Sequence, residues 1–283
     1  MMNDLELFRD EIRLWTLKQL NHLGFGHYGG SLSIVETLAV LYGKEMNVTT
    51  ENFKEIDRDH FILSKGHAGP ALYATLALKG FFPMDTLFTL NQNGTTLPSH
   101  PDRNLTPGVE MTTGSLGQGI SVAVGLATSL KLSGSTHYTY TIVGDGELNE
   151  GQCWEAAQFA AHHRLNRLVV FVDENKKQLD GWTKDIIEPF DLAEKFRSFG
   201  FWSTKVDGAN MEAIHQAITE GKEQTEKPIC IVLDTTKGQG IPYLEEKEAN
   251  HHIRPSEEEV DIIRQAIEQL EKKVSGSKKE AGR

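Results

Sequence analysis

The stretch "VGDGELNEGQCWEAAQFAAHHRLNRLVVFVDENKKQLDG", Val143 to Gly181, decides how this chain is read. It sets an acid between two glycines, follows with a helical segment, and then runs into an apolar strand closing on "DEN". The preceding "TYTIV" has the β-branched and aromatic content of a strand. Gly144 and Gly146 stand at its carboxyl end, where they permit a tight turn and a close approach of backbone to a ligand. A helix from near Asn149 returns the chain to a second strand, "RLVVFVDEN" (167–175). Such a strand–helix–strand unit is a right-handed crossover, which brings the two carboxyl ends to the same side of a sheet.

The same alternation extends outward. Apolar spacings of three and four predict helices near 4–22, 33–43, 68–79, 117–131, 150–163, 191–199, 210–222 and 257–272. Ser33 followed by Glu36 suggests a capping box on the second of them. Between them lie "HFILS" (60–64), "HYTYTIV" (137–143), "FWSTKV" (201–206) and "PICIVLDT" (228–235), all strand-like. The fold class that follows is α/β: a doubly wound, mostly parallel sheet with helices on both faces. Ligands in such sheets sit beyond the carboxyl ends of the strands. The stretch from Asn91 to Gly114 is rich in Gly, Thr and Pro and lacks periodicity, the pattern of a functional loop. A single domain over 1–273 and a frayed tail over 274–283, ending "GSKKEAGR", complete the organisation.

Composition narrows the class. The 283 residues carry 39% hydrophobic and 24% charged side chains, a soluble enzyme's balance, and a net charge of −11 that opposes broad nucleic-acid binding. Cys153 and Cys230 read as buried, reduced thiols. The charged, periodic start is unlike a signal peptide, and no apolar run approaches membrane-spanning length, so a cytoplasmic protein is expected.

Asp145 and Asn175, thirty residues apart, therefore stand at the ends of two strands joined by one helix. One carboxylate, one amide oxygen and a backbone carbonyl from the next turn supply about half of an octahedral Mg2+ shell. With a single anionic ligand the ion keeps positive charge for a diphosphate. The "DEN" segment lacks the glycine and closing glutamate of an EF-hand, and no glycine loop ends in the lysine–serine pair of a Walker motif. Lys237, in "TTKGQG" after a strand end among glycines, reads either as a contact to the diphosphate or as a solvated lysine. His27 and His67 occupy glycine-flanked turns and His100 the long loop, where function concentrates.

Together with "GFGHYGGSLS" (24–33), "FILSKGHAGPALY" (61–73), "LPSHPD" (97–102), "GVEMTTGSLGQGISVAVGLA" (108–127) and "TTKGQGIPY" (235–243), the GDG…N span resembles the thiamin diphosphate-binding half of transketolase. The resemblance covers about residues 5 to 270, and the chain is similar to the small subunit of split, two-polypeptide transketolases. It implies thiamin diphosphate with Mg2+ (Ca2+ or Mn2+ as substitutes), the metal held by Asp145, Asn175 and the carbonyl of Lys177. It implies diphosphate contacts from His67, Gly114 and Gly146, and packing around the cofactor from Leu116 and Leu179. His27, His100 and His252 match the histidines of the donor-sugar channel, with His251 one step away. Glu150, grouped with the catalytic residues, and Glu155, grouped with the cofactor contacts, match acids at the subunit interface linking paired active sites. Tyr28 and Ser115 stand where many members have proline.

The expected activity is transfer of a two-carbon ketol unit from a ketose to an aldose. The implied partner is the C-terminal transketolase subunit with the pyrimidine-binding domain, in an α2β2 heterotetramer. The alternatives are the cofactor-binding subunit of a 2-oxo acid dehydrogenase and a non-catalytic binding module. Donor and acceptor sugars are not readable from the chain.

Overall fold

The computed structural model describes residues 2–280 and 282. The chain begins with α1 (Met2–Leu23), α2 (Tyr28–Leu32) and α3 (Val35–Val40), then β1 (His60–Leu63), α4 (Gly69–Leu78) and α5 (Gln118–Leu132). The central unit is β2 (Thr139–Gly144), α6 (Gly151–His162) and β3 (Leu168–Glu174). A small hairpin of β4 (Lys177–Gln178) and β5 (Gly181–Trp182) leads into α7 (Thr183–Ile186) and α8 (Leu192–Ser198). The remainder is β6 (Trp202–Asp207), α9 (Met211–Glu223), β7 (Ile229–Asp234), α10 (Pro242–Glu246) and α11 (Glu257–Glu280).

The five long strands form one sheet in the order β1-β2-β3-β7-β6, and every pairing is parallel. An all-parallel sheet needs both faces covered, and the period-two side chains divide accordingly. Phe61, Tyr140, Ile142, Phe171 and Ile231 point to one face, where Leu7, Ile12, Leu38, Leu72, Ile214 and Ile263 cover them. Ile62, Val143, Val170, Val172 and Val232 point to the other, against Ile120, Val124, Ala156, Ala160 and Phe196. Each Val, Leu, Ile or Phe among them, fully buried, contributes about 1.5–3 kcal/mol. Cys153 and Cys230 are both buried and free, as expected. No helix among the described residues is long and apolar enough to cross a membrane.

Three local expectations are corrected. The predicted helix 33–43 is interrupted, because Ile34 departs from helical geometry between α2 and α3. Its capping box does not form: Ser33 Oγ donates instead to Asp173 Oδ2 (2.7 Å), and Glu36 is buried against Arg13 and Gln239. The expected tail is helical through Glu280, because α11 packs along α1: Val274 is buried and Lys278 pairs with Glu11. Ala281 and Arg283 of that tail lie outside the described residues.

The first turn of α5 lies against the end of β1 so closely that a Cβ on Gly119 would stand 2.5 Å from Ser64 Cα. Backbone cannot yield as a flexible side chain does. Gly119→Ala is therefore expected to destabilise the fold by about 1–3 kcal/mol, read as a lower urea midpoint. An unchanged midpoint would mean that this contact is not close-packed.

Candidate functional site

Four neighbouring strands deliver the site. The chain leaving β1 carries Lys65 and His67, β2 ends in the Gly144–Gly146 turn, β3 leads to Asn175, and β7 to Thr235 and Lys237. Beyond these ends lies a cavity of about 220 Å3, reached also by the long loop through His100, Gly114 and Leu116.

At its base is Asp173, fully buried. Its carboxylate accepts from Ser33 Oγ (2.7 Å), Asn175 Nδ2 (2.7 Å) and Thr235 Oγ1 (2.5 Å), and from the equally buried Lys65 Nζ. Burial alone would raise its pKa, but the Lys65 charge and these donors hold it below the usual carboxylate range. The bond from Nδ2 also settles which way the Asn175 amide faces: Oδ1 is turned away from Asp173 and accepts from Lys177 N (3.2 Å).

Asp145 is in a different state. It is 4% exposed and, among the described residues, accepts only backbone N–H groups, from Gly146 (2.8 Å) and Lys176 (2.7 Å). Burial, and next the Asp173 charge, push its pKa up to about 7. A buried carboxylate without a cationic partner is a place where a cation fits. Lys237 shows the opposite need: it is 2% exposed, and burial followed by the Lys65 charge brings its amine down to about 7. Its Nζ donates to the Lys177 carbonyl (2.9 Å) and meets His251 Nδ1 (2.9 Å). Gln178 Nε2, also on the cavity, is buried with no partner among the described residues. Two buried amines and an unpaired amide donor fit an anion; one carboxylate, one amide oxygen and one carbonyl beside them fit a cation that the anion would help to ligate.

The histidines close the other wall. A reciprocal pair of backbone bonds between Gly26 and Ile253, each 2.9 Å, holds the early glycine segment against the chain following α10. The His27 ring thereby lies 5.3 Å from His251, 5.6 Å from His67 and 5.7 Å from His100, centroid to centroid. Gly30 must be glycine here, since a Cβ would come 2.8 Å from the His67 ring. Burial first, and then neighbouring rings and lysines, lowers His27 to about 4 and His251 to about 3; His67 is also well below its ordinary value, and burial lowers His100. At neutral pH this wall presents uncharged imidazoles, able to accept protons.

Of the residues expected from sequence, His27, His67, His100, Gly114, Leu116, Asp145, Gly146, Asn175, Lys177, Leu179 and Lys237 all line the cavity. His252 does not. It is His251 that faces the cavity, while His252 lies at the rim, 4.8 Å from the His27 ring and beside Phe25. Glu150 and Glu155 also stand outside, both exposed around the start of α6. Lys65, Glu147 and Gln178 line it too, beyond the residues that the sequence motifs pick out. Lys65 in "SKGH" carries a signal, a lysine one residue past a strand end; Glu147 and Gln178 carry none beyond proximity to "GDG" and "DEN".

Comparison with known proteins matches residues 6–273 to the family described as "Transketolase, thiamine diphosphate binding domain". The chain is 48% identical over 271 residues to a 6-deoxy-6-sulfo-D-fructose transketolase subunit from Clostridium sp., covering 95% of this chain and 97% of that one. It is 40% identical to one of the subunits of an apulose-4-phosphate transketolase from Actinobacillus succinogenes, covering 95% and 99%. Among solved structures, a transketolase mutant from Pichia stipitis superposes with a TM-score of 0.83 at 29% identity. A transketolase from Campylobacter jejuni gives 0.85 at 27%. The chain spans 44% and 43% of those two, less than half of either.

The histidine wall has a consequence for stability. A ring held near 4 in the folded chain and near 6.5 when unfolded binds fewer protons folded than unfolded between those values. Stability is thus fully present above about pH 6.5 and lost as pH falls toward 4. The urea midpoint of the wild-type chain should fall across that window, and that of His27→Gln should fall less. Equal slopes would mean that the His27 ring is freely hydrated.

Proposed function

The chain belongs to the transketolase family, in its thiamin diphosphate-binding domain, and from that premise we propose that, joined to a second subunit, it transfers a two-carbon ketol unit from a ketose to an aldose. The observation that carries this reading is one cavity whose floor suits a metal–diphosphate pair and whose wall is made of uncharged histidines. Asp145, Asn175 Oδ1 and the remaining lone pair of the Lys177 carbonyl would hold Mg2+. Lys237, Gln178 and the backbone at Gly114 and Gly146 would meet the diphosphate, with Leu116 and Leu179 packing beside it. When bound, thiamin diphosphate supplies the electron sink for cleavage of the ketose C2–C3 bond. The chain's own part is to take and return hydroxyl protons at His27, His67, His100 and His251, which burial keeps in their basic form.

The need for a partner rests on size and surface. The subunits it is similar to match its own length, whereas the solved transketolases are more than twice as long. Beside the cavity, Leu179, Trp182, Ile186, Ile187 and Phe190 are exposed, an apolar run of the kind a second chain covers. Glu150 and Glu155, exposed rather than in the cavity, would face that chain in an α2β2 assembly within the cytoplasm. A sulfonated and a phosphorylated sugar stand in the names of the relatives, so the donor is an anionic ketose, with 6-deoxy-6-sulfofructose the first to assay.

Two measurements test this. The purified chain with saturating thiamin diphosphate and Mg2+ is expected to cleave no ketose until the partner is added, and to leave pyruvate untouched with it; turnover by the chain alone would overturn the two-subunit reading. Asp145→Ala removes the only anionic metal ligand, and thiamin diphosphate affinity should fall at least tenfold, about 1.4 kcal/mol. An unchanged, still Mg2+-dependent affinity would remove Asp145 from the metal site.

A further inference from the structure

Glu147 follows the Gly144–Gly146 turn by one residue and is 2% exposed. Its carboxylate joins three segments that are far apart in sequence. Oε2 accepts from Gly144 N (3.0 Å), at the end of β2. Oε1 accepts from Gly117 N (2.9 Å), at the foot of α5, and from Ser64 Oγ (2.5 Å), after β1. Ser64 Oγ in turn accepts from Ile120 N (3.0 Å). Each carboxylate oxygen therefore holds one glycine turn, and both turns reach the cavity, one through Gly114 and Leu116, the other through Gly144, Asp145 and Gly146. Among the described residues, no other hydrogen bond links Gly117 N or Gly144 N to the opposing turn.

We propose that Glu147 is a positioning residue that fixes the separation of these two glycine turns, and so presets the width of the slot that receives the cofactor's diphosphate. The proposal rests on the reading of the cavity as a thiamin diphosphate site. It assigns to Glu147 no contact with the reacting atoms. Its effect passes through the backbone of the two turns: the Gly114 N–H can meet a phosphate oxygen only if they stand at the right distance, while the Gly146 N–H is held by Asp145 Oδ1 (2.8 Å). Desolvated carboxylates accepting several backbone N–H bonds make firm ties, because either partner left unpaired in the interior is costly.

An amide is the diagnostic replacement. Gln has the shape of Glu but one acceptor oxygen, so in either orientation its NH2 group faces the N–H of one of the two glycines. Glu147→Gln thus severs one turn whichever way it settles. Ser64→Ala is the control: it removes the third donor and loosens α5, does not line the cavity, and leaves both glycines bound to Glu147.

The experiment is calorimetric titration of the full-length chain with thiamin diphosphate plus Mg2+ and, separately, with inorganic pyrophosphate plus Mg2+, alongside thermal unfolding of the unliganded variants. Wild type is expected to bind both. Glu147→Gln should lose at least tenfold in affinity for each, while Ser64→Ala loses stability but stays within about threefold of wild-type affinity. Equal binding by Glu147→Gln and wild type overturns the slot-setting role and leaves the cofactor reading standing. Parallel losses of affinity and melting temperature in both variants also overturn it, since general loosening would then suffice. Wild type that binds neither ligand overturns the cofactor reading and this proposal with it.

Discussion

Everything at the strand ends depends on one buried charge, the Asp173 carboxylate. It accepts from Lys65 after β1, Ser33 between α2 and α3, Asn175 after β3 and Thr235 after β7. Four segments with no sequence neighbourhood are thereby set around one pair of oxygens. A buried ion pair contributes little net stability compared with apolar packing, but removing one member of it leaves the other uncompensated, at about 3–5 kcal/mol. The sheet does not need Asp173 in order to form, since its two apolar faces accomplish that. What Asp173 determines is where the ends of its strands point, above all which face the Asn175 amide presents.

The neighbouring carboxylates divide the work by environment. Asp173 has Lys65 and stays ionised; Asp145, buried beside it with only backbone donors, is pushed up to about 7. Lys237 is pushed the other way, also to about 7, by burial and by Lys65. The floor of the cavity thus holds an acid and a base that both titrate near 7, because burial outweighs the opposite charges that act on each. A cation beside Asp145 and an anion beside Lys237 would relieve both at once. Neither relief is complete alone, which is the physical reason for expecting metal and diphosphate to bind together.

How much of this is legible in the sequence follows from the range of the interactions concerned. The five strands and the placement of Asp145 and Asn175 at adjacent ends are readable because periodicity and strand–helix–strand connection are local rules, and parallel topology follows from them. The partners of Asp173 are not: Ser33 and Thr235 are 140 and 62 residues away, and a serine ahead of a helix reads first as a cap. The choice between His251 and His252 turns on the Gly26–Ile253 bridge, a long-range pairing that fixes which of two adjacent rings faces inward. The ending misleads for a related reason. "GSKKEAGR" is polar and glycine-bearing, but α1 offers a groove for Val274 just before it and a partner for Lys278 within it, and tertiary contact outweighs local propensity.

Lys237 shows why such a cavity is best understood as a set of competing partners rather than a finished lock. Its amine occupies the Lys177 carbonyl, a position expected of a metal ligand, and at the same time meets a nitrogen of His251. A longer contact to the Gln178 carbonyl (3.5 Å) completes its surroundings. An anion on the floor competes for the same amine with a full negative charge and would draw it from both. The carbonyl lone pair and the His251 nitrogen would then be released together.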